Sequence, residues 1–261
     1  MNPGLQIGAF RIHYYGIILA VAILAAYWLV RYRTKRADCD ISLLDAIVLW
    51  SVPLGIVGAR LYYVTFTWER YALDSWSIFN IWEGGIAIHG AILGGFLGLV
   101  IALALHRRKK GAAKVSLLGW LDILMPGVML GQIIGRFGNY INQEAFGGPT
   151  TLPWGIFIDP ERRPDALAAT THFHPTFAYE ALWNVLGLGL MILLERKRKL
   201  RPGFVLGFYL VWYSVGRFFV EALRTDSLYV GSLRVAQLIS LAGVVGGLVL
   251  IWYATNRWKK A

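Results

Sequence analysis

The stretch Tyr213-Ser-Val-Gly-Arg217-Phe-Phe-Val-Glu221 sets a phenol, a guanidinium and a carboxylate four residues apart. On an α-helix this spacing puts all three on one face. Arg217 and Glu221 can then pair along it. The surrounding residues are apolar, and an ionisable group at mid-membrane costs about 2.5–3.5 kcal/mol. Such a group needs a partner or a task. The same holds for Arg60, His89, Asp122, Arg136 and Glu180, which also lie in apolar runs. A second cluster is Gly135-Arg136-Phe-Gly138-Asn139-Tyr140-Ile-Asn142-Gln-Glu144-Ala-Phe-Gly147. Arg136, Asn139 and Asn142 recur every three residues, so one helical or turn face is lined with donors. A guanidinium holds a phosphate through two parallel hydrogen bonds. With asparagine amides beside it, this face suits an anionic lipid head group.

A third position is His89, near the start of an apolar run in which Gly90, Gly94 and Gly98 form a ridge of small residues. The ridge reads as close helix packing. The imidazole reads either as a packing residue or as a base working near neutral pH. Arg224 lies near a helix end and reads as a side chain that snorkels to the surface. His172 and His174 lack the carboxylate spacing of a metal motif, and no phosphate-binding or nucleophile-elbow motif is present. The single cysteine, Cys39, is far from the polar clusters, so it is not expected to act as a nucleophile and no intrachain disulfide can form.

The elements that must position these groups follow from composition. Of 261 residues, 57% are hydrophobic and 16% are charged. A soluble domain carries about 25% charged residues, so a water-soluble enzyme and a disordered chain are both excluded. Seven apolar segments, near 12–30, 46–66, 86–105, 115–135, 177–194, 204–223 and 235–255, are each long enough to cross a membrane. The fold class expected is therefore all-α: a polytopic bundle of seven transmembrane helices forming a single membrane domain over 1–261. No soluble domain, linker or internal repeat interrupts it, and the first apolar run is retained as a span.

Most of the 26 basic residues cluster after spans one, three, five and seven, at 31–36, 107–114, 196–201 and 257–260. All four connections fall on one side. The positive-inside rule then places the N-terminus outside and the C-terminus in the cytoplasm. The net charge of +11 thus needs no nucleic acid to explain it. On the opposite side, a loop at about 136–175 is long, polar and rich in Gly and Pro, the kind of loop that carries function, and forms a head. The other long outer connection holds Trp68, Tyr71 and Trp76, expected in the interfacial aromatic belt.

The thirteen-residue run from Gly135 to Gly147 closely resembles the signature of the prolipoprotein diacylglyceryl transferase family. Tyr15-Gly16, Ile88-His89-Gly90, His174-Pro175-Thr176 ending in Tyr179-Glu180, and Tyr213, Arg217, Phe218 with Glu221 match further family segments in the same order. The resemblance runs from about residue 4 to 255. Tyr140 stands where Phe is commoner, Ala91 where a second Gly often follows the His, and Phe177-Ala178 where Gln-Leu is usual.

The resemblance implies transfer of the sn-1,2-diacylglyceryl group of phosphatidylglycerol to the lipobox cysteine of a prolipoprotein still attached to its signal peptide. Glycerol phosphate is released, and the setting is the bacterial cytoplasmic (inner) membrane, with the active site toward the outer leaflet. The nucleophile then belongs to the substrate, and no cofactor, metal or nucleic acid is called for. His89, Arg136 and Arg217 are the expected catalytic residues. His89 takes the thiol proton, since the thiolate is the reactive species, although a Tyr or Glu in that role stays open. The arginines hold the phosphate as charge moves onto its oxygen. Tyr15, Asn139, Asn142, Glu144, Gly147, Tyr213 and Glu221 are expected to place the phosphatidylglycerol head group, with Glu221 orienting Arg217.

Overall fold

The computed structural model describes residues 4–7, 10–81, 84–108, 116–197 and 200–256, with backbone alone at 5–7 and 10–12. Of the basic residues read as cytoplasmic, Lys109, Lys110, Lys114, Arg198, Lys199, Arg257, Lys259 and Lys260 lie outside the described residues. Among the described residues, seven helices are long and apolar enough to cross a membrane. The chain divides into two compact units, one of residues 1–30 with 118–261 and one of residues 31–117.

The first unit begins with a ribbon of β1 (Gly4–Ile7) and β2 (Phe10–His13), antiparallel with Gly4 opposite His13. It leads into α1 (Tyr14–Arg36), whose last residues pass into the second unit. That second unit holds α2 (Ile41–Phe66), the single turn α3 (Trp68–Tyr71) and α4 (Ile88–Arg107). The chain returns to the first unit with α5 (Leu117–Asn142), the head strands β3 (Ile156–Phe157) and β4 (His172–Phe173), and α6 (Thr176–Lys197). It closes with α7 (Phe204–Leu223), a ribbon of β5 (Tyr229–Val230) and β6 (Leu233–Arg234), and α8 (Val235–Asn256).

Within the second unit, α2 and α4 pack backbone to backbone. A Cβ added to Gly90 would overlap the carbonyl of Gly58, and one on Gly94 the carbonyl of Leu54. The glycine ridge is therefore a packing surface, as its spacing suggested. Arg60 is buried, and its guanidinium donates to four backbone carbonyls: Ser77 and Ile78 at 2.7 Å, and Gly84 and Gly85 at 2.8 Å. This side chain organises the connection that precedes α4. Tyr71 is buried under that guanidinium, 5.1 Å from it, while Trp68 and Trp76 are exposed. Two of the three aromatics thus keep a surface position, and Tyr71 is instead part of the Arg60 knot.

Within the first unit, small and polar residues do the packing. Asp122 of α5 accepts from Gly203 N at 2.7 Å and Leu206 N at 2.8 Å, and so caps α7 from another helix. Its burial is structural. Trp183 of α6 and Trp212 of α7 stack with centroids 4.4 Å apart. Each indole N–H donates to the other's carbonyl, at 2.8 and 2.9 Å. Each ring also covers a glycine of the facing helix, Gly216 or Gly187. Large apolar residues such as Leu49, Phe66, Leu186 and Trp252 remain exposed. An aqueous protein would bury many of these; in a membrane they meet lipid, and packing falls to small residues.

Candidate active site

The polar clusters at 135–147 and 213–221 meet in the first unit, where α5 ends and α6 begins. The sequence spacing ended the fourth span near Gly135, but α5 continues to Asn142. Arg136 and Asn139 are therefore held on a rigid helix. The helix stops at Gln143, whose φ of 50° is left-handed, and Ala145 repeats this at 57°. Non-glycine residues adopt that conformation at a cost of about 1–3 kcal/mol and only where the surroundings impose it. Here Gln143 exchanges hydrogen bonds with Asp159, at 3.1 and 2.7 Å, and Thr176 Oγ1 donates to the Ala145 carbonyl. The head that supplies Asp159 is built on a small apolar core of Phe146, Ile158 and Phe173.

Glu180 of α6 is the centre of the cluster. Its carboxylate bridges two guanidiniums: Arg136 Nη2 is 2.5 Å from Oε2, and Arg217 Nη1 is 2.6 Å from Oε1. Arg217 Nη2 meets Glu221 Oε2 at 2.5 Å, the pair that the four-residue spacing anticipated. Glu180 and Glu221 are 5% and 2% exposed as side chains, whereas both arginines keep 18%. The carboxylates are thus the buried base of the cluster and the guanidiniums its open side. A guanidinium carries more N–H groups than these contacts occupy, so among the described residues both arginines retain donors for an arriving anion.

In the same unit stand the residues expected to place the head group. Arg136 Nη1 is 3.5 Å from Asn139 Oδ1, and Glu144 Oε1 accepts from Asn139 at 3.0 Å and Asn142 at 3.5 Å. Tyr15 of α1 lies against Gly138, where a Cβ would come within 2.5 Å of the phenol ring. This is why glycine is needed there. Gly147 N donates to the His174 carbonyl at 2.9 Å, and Gly147 also pairs with Arg224 across a β-bridge. Tyr213 sits one turn from Arg217 and stacks on Tyr209 at 5.8 Å.

Several members were given no role by the sequence reading. Glu180 stood out as a charge in an apolar run and as part of the Tyr179-Glu180 match, but its partners were not legible. Arg224 is not a freely snorkelling residue: it grips Asp226 through Nε at 2.8 Å and Nη2 at 2.6 Å, and lies 4.0 Å from Glu221. Arg234 donates to the Glu221 carbonyl. Burial works to raise the Asp226 carboxyl, but the Arg224 guanidinium outweighs it and holds that group below the usual carboxylate range. The unusual Tyr140 and Phe177 also explain each other, for their rings pack at 5.1 Å.

His89 belongs to the second unit. It is exposed on the first turn of α4, with its ring 5.7 Å from that of Tyr62. In the same unit, partial burial and then the neighbouring Asp38 raise the Cys39 thiol above its ordinary range, which disfavours the thiolate. In the head, a cavity of about 920 Å³ opens beside Thr150, Thr171, His172 and His174. Among the described residues its walls carry no arginine or lysine, so the helical cluster is the better anion site.

The family model for prolipoprotein diacylglyceryl transferase matches residues 4–253. The chain belongs to the prolipoprotein diacylglyceryl transferase family. It is 47% identical over 261 residues to the phosphatidylglycerol–prolipoprotein diacylglyceryl transferase of Gloeobacter violaceus, covering 98% of this chain and 94% of that one. It is 47% identical to the protein of the same name from Acaryochloris marina, covering 96% and 91%. The similarly named protein of Halalkalibacterium halodurans is 40% identical, covering 95% and 84%. The run from Gly135 to Gly147 comprises the end of α5, the left-handed reversal, and the bridge to Arg224.

Proposed function

We infer that this chain transfers the sn-1,2-diacylglyceryl group of phosphatidylglycerol to the lipobox cysteine of a prolipoprotein, the first step of lipoprotein maturation. The observation that carries this reading is the pair of half-open arginines, Arg136 and Arg217, bridged by the buried Glu180 in a member of the transferase family. The phosphate of the lipid docks on their free N–H groups. The substrate thiolate attacks the glyceryl carbon that bears the phosphate ester. A sulfur–carbon bond forms, the carbon–oxygen bond breaks, and glycerol phosphate leaves with the electron pair. Stabilising that developing charge is the work of the two guanidiniums, in a site drier than bulk water. Glu180 and Glu221 hold both in place. Asn139, Asn142, Glu144, Tyr15, Tyr213 and Gly147 shape the head-group site. His89 is the candidate base for the thiol, with a Tyr or Glu as the alternative, and no metal or organic cofactor is called for.

The chain crosses the bacterial cytoplasmic membrane with its N-terminus outside and its C-terminus in the cytoplasm. The head and the arginine cluster face the outer leaflet. The signal peptide of the precursor approaches from the membrane.

The test uses purified protein, phosphatidylglycerol and a lipobox peptide, with mass spectrometry to detect the thioether adduct and released glycerol phosphate. Wild type should modify the cysteine and spare a Cys→Ser peptide. Arg136→Ala or Arg217→Ala should lower the rate by about 100–1,000-fold, with membrane insertion unchanged. Wild-type rates in either variant would remove the phosphate clamp. His89→Gln should be slowest relative to wild type near neutral pH and recover in part as pH rises. Failure to recover would remove the base role from His89.

A further inference from the structure

Beneath the arginine cluster lies a second polar layer that the phosphate does not need. Gln132 precedes Arg136 by four residues on α5, and Asn184 follows Glu180 by four on α6. Because α5 runs toward the cluster and α6 away from it, both sit one turn, about 5–6 Å, deeper on the faces that carry Arg136 and Glu180. On α7, Tyr213 is one turn deeper than Arg217, and Tyr209 accepts from Gln132 Nε2 at 2.8 Å. Asn184 is only 1% exposed, yet its Nδ2 has no hydrogen-bond partner among the described residues. Gln132 Oε1 is likewise buried and unpaired among them. A buried unsatisfied polar group costs about 1–3 kcal/mol. Alkyl chains alone would not call for such a layer.

We propose that Asn184 is a lipid-binding residue whose amide donates to an ester carbonyl of the diacylglyceryl group. This rests on the transferase reading above and adds a contact to it. The chemistry fits the depth. A phosphate held by Arg136 and Arg217 leaves the glycerol esters of the same lipid a few bonds further into the membrane. Nδ2 is a donor only, and an ester carbonyl is an acceptor only. The esters are remote from the bond that breaks, so this contact governs recognition of the lipid rather than the chemical step.

The experiment compares diester phosphatidylglycerol with a diether analogue of equal chain length, which lacks both carbonyls. The affinity of full-length protein for each is read by lipid competition in native mass spectrometry, and transfer to a lipobox peptide is run in parallel. Wild type should prefer the diester by about tenfold, the value of one well-made hydrogen bond in a buried site. Asn184→Leu and Asn184→Ala should bind the two lipids equally, having lost about tenfold on the diester alone. Asn184→Leu should also melt no lower than wild type, since it removes an unpaired amide. Retention of the diester preference in both variants, or its absence in wild type, would overturn the assignment. Absence of transfer by wild type would instead overturn the transferase reading, while the affinity ratio would still report on Asn184.

Discussion

Glu180 carries more of this site than any other residue, since one buried carboxylate fixes two guanidiniums. A buried charge network is weak evidence for stability, because desolvation offsets much of the attraction, but removing one member is costly. Glu180→Gln keeps the shape and leaves Arg136 and Arg217 with one fewer negative charge between them. Transfer should fall by about tenfold or more, and Glu180→Asp, which withdraws the charge by one methylene, should fall between. Rates and thermal melts measured together would separate mispositioned arginines from a destabilised bundle; a wild-type rate in Glu180→Gln would remove the bridge from the mechanism. At the rim, the Asp226 carboxyl is held below its usual range by Arg224. A lowered carboxylate contributes stability that is complete above the unfolded value, near 4, and is lost as pH falls through the lower folded value. The melting difference between wild type and Asp226→Asn should therefore be constant at neutral pH and shrink only below about pH 4. A difference that fades between pH 5 and 7 would contradict this pairing.

At the level of elements, α6 and α7 are joined by the reciprocal Trp183–Trp212 stack, which needs Gly187 and Gly216 beneath the rings. A methyl at Gly216 would overlap the Trp183 ring, and overpacking of this kind costs about 1–3 kcal/mol. Gly216→Ala should lower the melting temperature by several degrees and slow transfer, because Glu180 and Arg217 ride on the same two helices. An unchanged melt would show that the stack yields without cost. Asp122 acts on the same pair of elements from α5, as a cap for α7 supplied by another helix. Asp122→Ala should cost about 1 kcal/mol, the usual worth of a lost N-cap, read from denaturant or thermal unfolding.

For the whole molecule, the decisive question is which way it sits in the membrane. Cys39 is the single cysteine and lies in the connection between α1 and α2, expected on the cytoplasmic side. A membrane-impermeant maleimide should leave it unlabelled in intact cells and label it once the membrane is opened. Because its thiol is raised, labelling should speed up markedly above pH 8. Labelling of intact cells would reverse the orientation and turn the arginine cluster toward the cytoplasm.

Seven spans were legible in the sequence because lipid demands an apolar stretch about 20 residues long for each crossing. The Arg217–Glu221 pair was legible because helical geometry alone brings residues four apart together. The thirteen-residue run announced a site, though not where its helix ended, since the polar residues that look like a loop stay helical when neighbours satisfy them. What no local pattern holds is partnership across distance. Glu180 meets an arginine 44 residues before it and another 37 after it, and neither spacing has a period to detect. Arg60 and Asp122 needed a partner or a task, and four backbone carbonyls and a helix N-terminus are the partners. The sequence by itself determined which residues had to be excused from lipid. Only the tertiary structure decided which are excused by structural partners and which keep donors free for a ligand, because a buried charge is silent about its purpose until the groups around it are known.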